Sequence, residues 1–413
     1  ILGWVFVPFY SRSMVYTMPE FLERRYNPQS RTILSVISLV SYVLTKVAVT
    51  VYAGGLVFQQ VFGIKELWGI DFFWMAAIGL VVLTALYTIF GGMKSVLYTS
   101  VLQTPILLLG SLIILVLGFK ELGGWDEMMR VCGAVTVNDY GDTMTNLIRS
   151  NDDANFPWLG ALIGSAIIGF WYWCTDQFIV QRVLSGKNEK EARRGTIFGA
   201  YLKLLPVFLF LIPGMIAFAL HQKYIGAGGE GFLPMLANGT ANADAAFPTL
   251  VAKLLPAGVK GLVVCGILAA LMSSLASLFN SSAMLFTIDF YKRFRPETPE
   301  KKLVGIGQIA TVVIVILGIL WIPIMRSVGD VLYTYLQDVQ SVLAPGIAAA
   351  FLLGICWKRT SAQGGMWGLI AGMIIGLTRL GAKVYYSNAG EVADSTFKYL
   401  FYDMNWLFFC GWM

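Results

Sequence analysis

The sequence predicts a bundle of membrane-spanning α-helices. Three observations carry this. The 413 residues are 57% hydrophobic and only 13% charged, about half the charge of an ordinary soluble domain. Apolar runs of about 20 residues recur, the length that crosses a ~30 Å hydrocarbon layer. These runs are continuous rather than alternating, which argues against an outer-membrane barrel.

The elements follow in order. Ile1 to about Tyr10 is a partial span, and a basic stretch follows. Nine further spans are expected at about 33–62, 72–90, 95–119, 157–181, 196–220, 258–290, 304–325, 331–356 and 364–378, with a last partial one from Leu400. The chain opens and closes inside apolar runs, which reads as a single transmembrane domain over 1–413 truncated at both ends. If alternate loops face opposite sides, loops 10–32, 91–94, 182–195, 292–302 and 357–363 hold 17 Lys/Arg, against 11 in the longer loops opposite. Positive charge marks the first set as cytoplasmic. Loops 120–156 and 221–257 then face outward and carry amphipathic pieces suited to surface half-helices. Asn238-Gly-Thr240 is a glycosylation triplet of the kind that arises by chance.

Several function classes are excluded. The net charge of +6 belongs to orientation loops rather than to a nucleic-acid face. Five scattered cysteines have no metal-ligand spacing. The single histidine, His221, is expected at the membrane interface. No cluster of catalytic groups lies at membrane depth, so the chain does not read as an enzyme.

Four ionisable residues are expected within spans: Lys46, Asp176, Lys203 and Asp338. A charge there costs about 2.5–3.5 kcal/mol, so it marks a function or meets a partner. Asp176 with Lys46 would be one such buried pair. Asp176 ends the run Trp171-Tyr172-Trp173-Cys-Thr-Asp176-Gln177, in which Gly169, Tyr172, Trp173 and Asp176 share a helical face. That face suits a small polar solute or an interfacial aromatic belt. Pro206 should loosen the helix beside Lys203. Ala270, Ser273, Ser274, Ser277 and Ser281 form a small-residue stripe. It reads either as close helix packing or as hydroxyl ligands for a dehydrated Na⁺. Gln337 offers a donor and an acceptor together, fitting a hydroxyl-rich solute. Pro345-Gly346 should bend or interrupt its helix.

Four stretches carry a resemblance. Trp171–Arg182, Tyr16-Thr-Met-Pro-Glu-Phe21, Gly91–Gln103 and Ser273-Ser-Leu-Ala-Ser-Leu-Phe-Asn280 resemble the sodium:solute symporter family. The likeness is greatest to its sodium/glucose cotransporter branch, in a bacterial-type form, and extends to about Gly381. The resemblance implies an all-α polytopic membrane protein with the five-plus-five inverted-repeat, leucine-transporter-like fold, here lacking the first core helix. It implies Na⁺ ligation by the carbonyl of Ala270 and the hydroxyls of Ser273 and Ser274. It makes Tyr172 an inner gate beneath the solute. Trp173, Lys203, Gln337, Lys46 and Gln177 become solute contacts, with Asp176 and Asp338 as further intramembrane polar groups. Gly169 departs from the Asn or Thr of relatives, and Ser100 from an Asp whose loss favours one Na⁺ per cycle.

The expected function is sodium-coupled symport of a monosaccharide or a polyol such as myo-inositol, by alternating access. The expected setting is the plasma (inner) membrane, with a sugar, Na⁺ and the lipid bilayer as partners, no nucleic acid, and a monomer as the working form. The rivals are symport of an amino acid, carboxylate or vitamin, and a membrane solute sensor.

Overall fold

The computed structural model describes residues 1–236, 239–328, 331–388 and 394–413, with side chains described except at 87, 89–96, 99, 326–328 and 388. Among the described residues, eight helices are long and apolar enough to cross a membrane. The Asn238 triplet lies outside the described residues.

In chain order, Met18–Arg25 (α1) precedes Pro28–Phe62 (α2). Phe72–Leu122 (α3) comes next. Trp158–Thr175 (α4) is followed at once by Gln177–Leu184 (α5). Glu189–Leu202 (α6) and Ile212–Gly226 (α7) make one interrupted span. Then come Ala257–Phe294 (α8), Glu300–Val328 (α9), Leu332–Cys356 (α10), Ala362–Asn388 (α11) and Trp406–Trp412 (α12). A two-residue hairpin, Glu66–Leu67 with Ile70–Asp71, is the one named sheet among the described residues.

The chain divides into two compact units. Residues 1–49, 151–199 and 278–413 form the first. Its core joins Tyr10, Phe21, Leu22, Ile168, Trp171, Cys174, Phe351, Trp406 and Leu407. Glycines let its helices touch closely, as small residues do in membrane bundles. A Cβ on Gly372 of α11 would lie 2.9 Å from the Cα of Gly346 on α10. One on Gly164 of α4 would lie 2.6 Å from the carbonyl oxygen of Leu407.

Residues 50–150 and 200–277 form the second unit. Ile114, Leu122, Met128, Ile216, Leu220, Leu250 and Val263 build its core. The expected half-helices exist, at Trp125–Gly133 and Ala246–Leu254. Cys132 lies buried on the first of them, and all five cysteines are free.

Two expected spans, 72–90 and 95–119, share the helical run α3. That run is not straight. The Leu80 and Leu271 side chains both flank Gly54, and Ser100 reaches Ser273. Twenty residues of straight helix would part Leu80 from Ser100 by about 30 Å, too far for both to meet α8 within one turn. From Ser100 onward α3 runs antiparallel to α8, with Ile106 at Gly266 and Val263 at Gly110.

Of the two outcomes expected at Pro345-Gly346, interruption does not occur: α10 is continuous from Leu332 to Cys356, because a proline deletes one backbone bond and α11 lies against the following glycine. His221 is buried within the protein rather than open to its surroundings. It is 3% exposed, and its Nδ1 accepts the amide N–H of Leu233 at 3.0 Å. Helix α11 also runs ten residues beyond the expected 378, which puts Arg379 and Lys383 on a span rather than in a loop.

Candidate solute and cation sites

In the first unit the polar centre is a break between α4 and α5. The last turn of α4, Trp171–Thr175, is wound as a π-helix, a form that often sits at functional positions. Asp176 then leaves helical geometry, at φ −76° and ψ 123°. The break frees backbone groups that must find partners, since the membrane supplies none. The Cys174 carbonyl and the Phe178 amide find theirs in side chains. Asp176 accepts the Phe178 N–H at 3.0 Å and caps α5. Tyr10 donates its hydroxyl to the Cys174 carbonyl at 2.8 Å. Tyr42 donates to the Asp176 carboxylate at 3.0 Å and accepts from the Phe178 amide at 3.1 Å.

Lys46 sits opposite, in a second π-wound segment, Tyr42–Val47 of α2. Its ammonium pairs with the Asp176 carboxylate. Three rings surround the same ammonium: Phe178 at 4.3 Å, Tyr42 at 4.7 Å and Tyr172 at 5.4 Å. Each adds a cation–π attraction of about 0.5–2 kcal/mol. Tyr335 of α10 steadies this turn from the other side, donating to the Leu44 carbonyl at 2.9 Å while accepting from the Trp321 indole.

The sequence-expected residues separate on this geometry. Lys46, Asp176 and Tyr172 come together. Gln177 is 2% exposed; its carbonyl accepts the Met18 N–H at 2.8 Å and fastens the start of α1 to α5. Trp173 is 39% exposed and stands edge-on to Tyr172. A Cβ at Gly169 would meet nothing within 4 Å, so this side of α4 is open. Gln337 is half-buried near the start of α10, and its amide donates to the Tyr333 hydroxyl at 3.2 Å. Asp338 points elsewhere: it pairs with Lys383 at 2.6 Å and with Arg379 at 3.5 Å.

Sequence reasoning missed two buried charges on the long helices. Asp289, 0% exposed on α8, accepts from Arg31 at 2.8 Å and from Thr17 at 2.9 Å, and Arg31 also holds Glu23. Arg379, also 0% exposed, donates to the Leu400 and Met404 carbonyls and lies 4.1 Å from the Phe409 ring. Both lie at the ends of the expected apolar segments, where a span cannot be told from its flanking loop. The signal for Asp289 was its place inside the apolar run Leu285–Tyr291.

In the second unit the serine stripe of α8 divides. Ser273 is 5% exposed, its hydroxyl 2.5 Å from that of Ser100. Ser274 is exposed and Ala270 half-buried. Ser277 is fully buried, as close packing requires. In the first unit Ser281 donates to the Gln181 side chain at 3.1 Å. Lys203 is exposed, in a two-residue turn that interrupts the helix between α6 and α7, three residues before Pro206. This is the loosening that the proline predicts.

The sodium:solute symporter family model matches residues 1–376. Over 92% of its length the chain is 40% identical to a sodium/mannose cotransporter of Bos taurus and 37% identical to sodium/myo-inositol cotransporter 2 of Homo sapiens. Over 99% it is 38% identical to sodium/glucose cotransporter 1 of Ovis aries. It spans 57–64% of the length of these relatives. A solved Na⁺-coupled sialic acid symporter, in a substrate-bound outward-open state, superposes with a TM-score of 0.71 at 22% identity, over 99% of this chain and 77% of that one. That likeness shows the fold, the all-helical leucine-transporter-like architecture that the sequence implied. The apolar helices and the family match make the chain an integral membrane protein. It belongs to the sodium:solute symporter family.

Proposed function

We propose that the protein is a sodium-coupled symporter of a monosaccharide or related polyol, acting as a monomer in the plasma membrane. The observation that carries this reading is the 37–40% identity, over 92% of the chain, to relatives named for mannose and myo-inositol cotransport. Na⁺, as a co-transported substrate, would meet the hydroxyls of Ser273 and Ser274 and the carbonyl of Ala270. Ser100, hydrogen-bonded to Ser273, brings no charge, which supports one Na⁺ per cycle. The solute would bond through Gln337 and Lys203. Tyr172 and Trp173 would offer rings to its C–H face, with Tyr172 as the inner gate. Lys46 and Gln177 already spend their polar ends within the protein, so their part is to hold that gate and its floor. Asp176 and Asp338 serve as anchors for cations.

Coupling requires that Na⁺ favour the solute-binding state, and by reciprocity solute then favours Na⁺ binding. A membrane potential of ~100 mV adds ~2.3 kcal/mol per Na⁺, which corresponds to about 50-fold accumulation.

The test is uptake of labelled glucose, mannose and myo-inositol into proteoliposomes of the full-length transporter. Uptake of at least one should need Na⁺ and weaken in Ser274→Ala. Uptake indifferent to Na⁺ sinks the reading. A carboxylate solute is the second reading, favoured by the exposure of Lys203 at a helix break. It predicts that acetate or lactate, not sugars, competes.

A further inference from the structure

We propose that Tyr333 is a positioning residue for Gln337 and helps select the polyol by its pattern of neighbouring hydroxyls. This rests on the reading of Gln337 as a solute contact. The two residues lie four apart on α10 and so share a face. The Gln337 amide nitrogen donates to the Tyr333 hydroxyl at 3.2 Å. Tyr333 is 55% exposed, yet its ring is backed by Phe156 at 6.4 Å. Phe156 is itself held in place. Its N–H goes to the buried Asp153 carboxylate at 2.7 Å, and its ring stands edge-on to Trp406 at 6.2 Å. The phenol is therefore supported on one side and presents its hydroxyl to the amide.

The bond sorts donors from acceptors. An amide has two N–H donors and one carbonyl, and a phenol can accept one bond while giving its own proton. With one amide N–H on the phenol oxygen, the carbonyl oxygen of Gln337 is left to accept. The Tyr333 proton is left to donate, and the bond it accepts strengthens that donation. An acceptor and a donor thus stand side by side, a match for adjacent hydroxyls of which one donates and one accepts. Without the phenol oxygen the amide can turn over and present N–H where the carbonyl stood.

Tyr333→Phe keeps the ring on Phe156 and removes only the hydroxyl. The full-length transporter in proteoliposomes would be assayed with tritiated myo-inositol, glucose and mannose, and with single-deoxy versions of whichever is taken up. We expect the apparent KM to rise about 2- to 10-fold, the worth of one hydrogen bond, with the maximal rate and the unfolding midpoint unchanged. Preference over one deoxy analogue should narrow by the same factor. In a Gln337→Ala background the second substitution should add nothing. An unchanged KM, or an equal loss in the Gln337→Ala background, overturns the proposal while leaving symport intact. A wild-type protein that takes up none of the three overturns sugar or polyol symport and this proposal together.

Discussion

Among the described residues, helices are broken at Asp176 and at Lys203, and the two breaks differ in exposure. At Asp176 the side chains of Tyr10, Tyr42, Lys46 and Gln177 bond across the gap between α4 and α5. At Lys203 the turn between α6 and α7 leaves a lysine exposed. The residue types would suggest the reverse, since the run around Asp176 carries the aromatics of a solute site. The break at Asp176 buries its charges and acts as a support, whereas the one at Lys203 leaves its charge exposed.

The largest test of this contrast is Asp176→Ala. It strands the Lys46 ammonium among three rings, and removing one partner of a buried pair costs about 3–5 kcal/mol. Thermal unfolding in detergent should show the loss, and the double variant Lys46→Met/Asp176→Leu should recover most of it. If the single variant melts like the wild type, the break at Asp176 is not a support. Tyr42→Phe is the milder probe. It removes a donor to Asp176 and an acceptor for Phe178 while Asp176 still caps α5, so we expect a loss of about 1–2 kcal/mol.

Lys203→Ala should cost less than about 0.5 kcal/mol of stability, as exposed substitutions do. It should nevertheless raise the apparent KM for solute. A stability loss equal to that of Asp176→Ala would erase the contrast. The smallest effect concerns an acid that is well partnered but open to water. Asp142 accepts from the Ser150 amide, Asn138 and Asn146, and these bonds hold its pKa below the ordinary 3.8. A lowered pKa means that the contribution is present at neutral pH and fades as pH falls through the folded value. Hydrogen exchange at Ser150 should therefore speed up more, on acidification, in the wild type than in Asp142→Asn.

Much of the fold was legible because the membrane imposes one simple rule of length and polarity. The spans from 33–62 to 364–378 all correspond to helices, and Pro206 marked its break. Where the sequence misled, a local signal was overruled by a neighbour. Pro345 did not interrupt α10, since α11 holds Gly346 against Gly372. The pairing of Lys46 with Asp176 could be offered as one choice among several. Its geometry could not, because it depends on two π-wound turns facing each other. Tyr333 went unnoticed because a tyrosine one turn from Gln337 looks like any other until its hydroxyl is placed.

The distance in sequence between Lys46 and Asp176 has a consequence during synthesis. The two partners are 130 residues apart. At about 5–20 residues per second, Asp176 emerges about 7–26 s after Lys46. For that interval the span Pro28–Phe62 must enter the bilayer with an unmatched ammonium. The flexible stem of lysine lets it lean toward the nearer surface while it waits. The pair that braces the finished protein can close only once α5 has been made, 130 residues after Lys46.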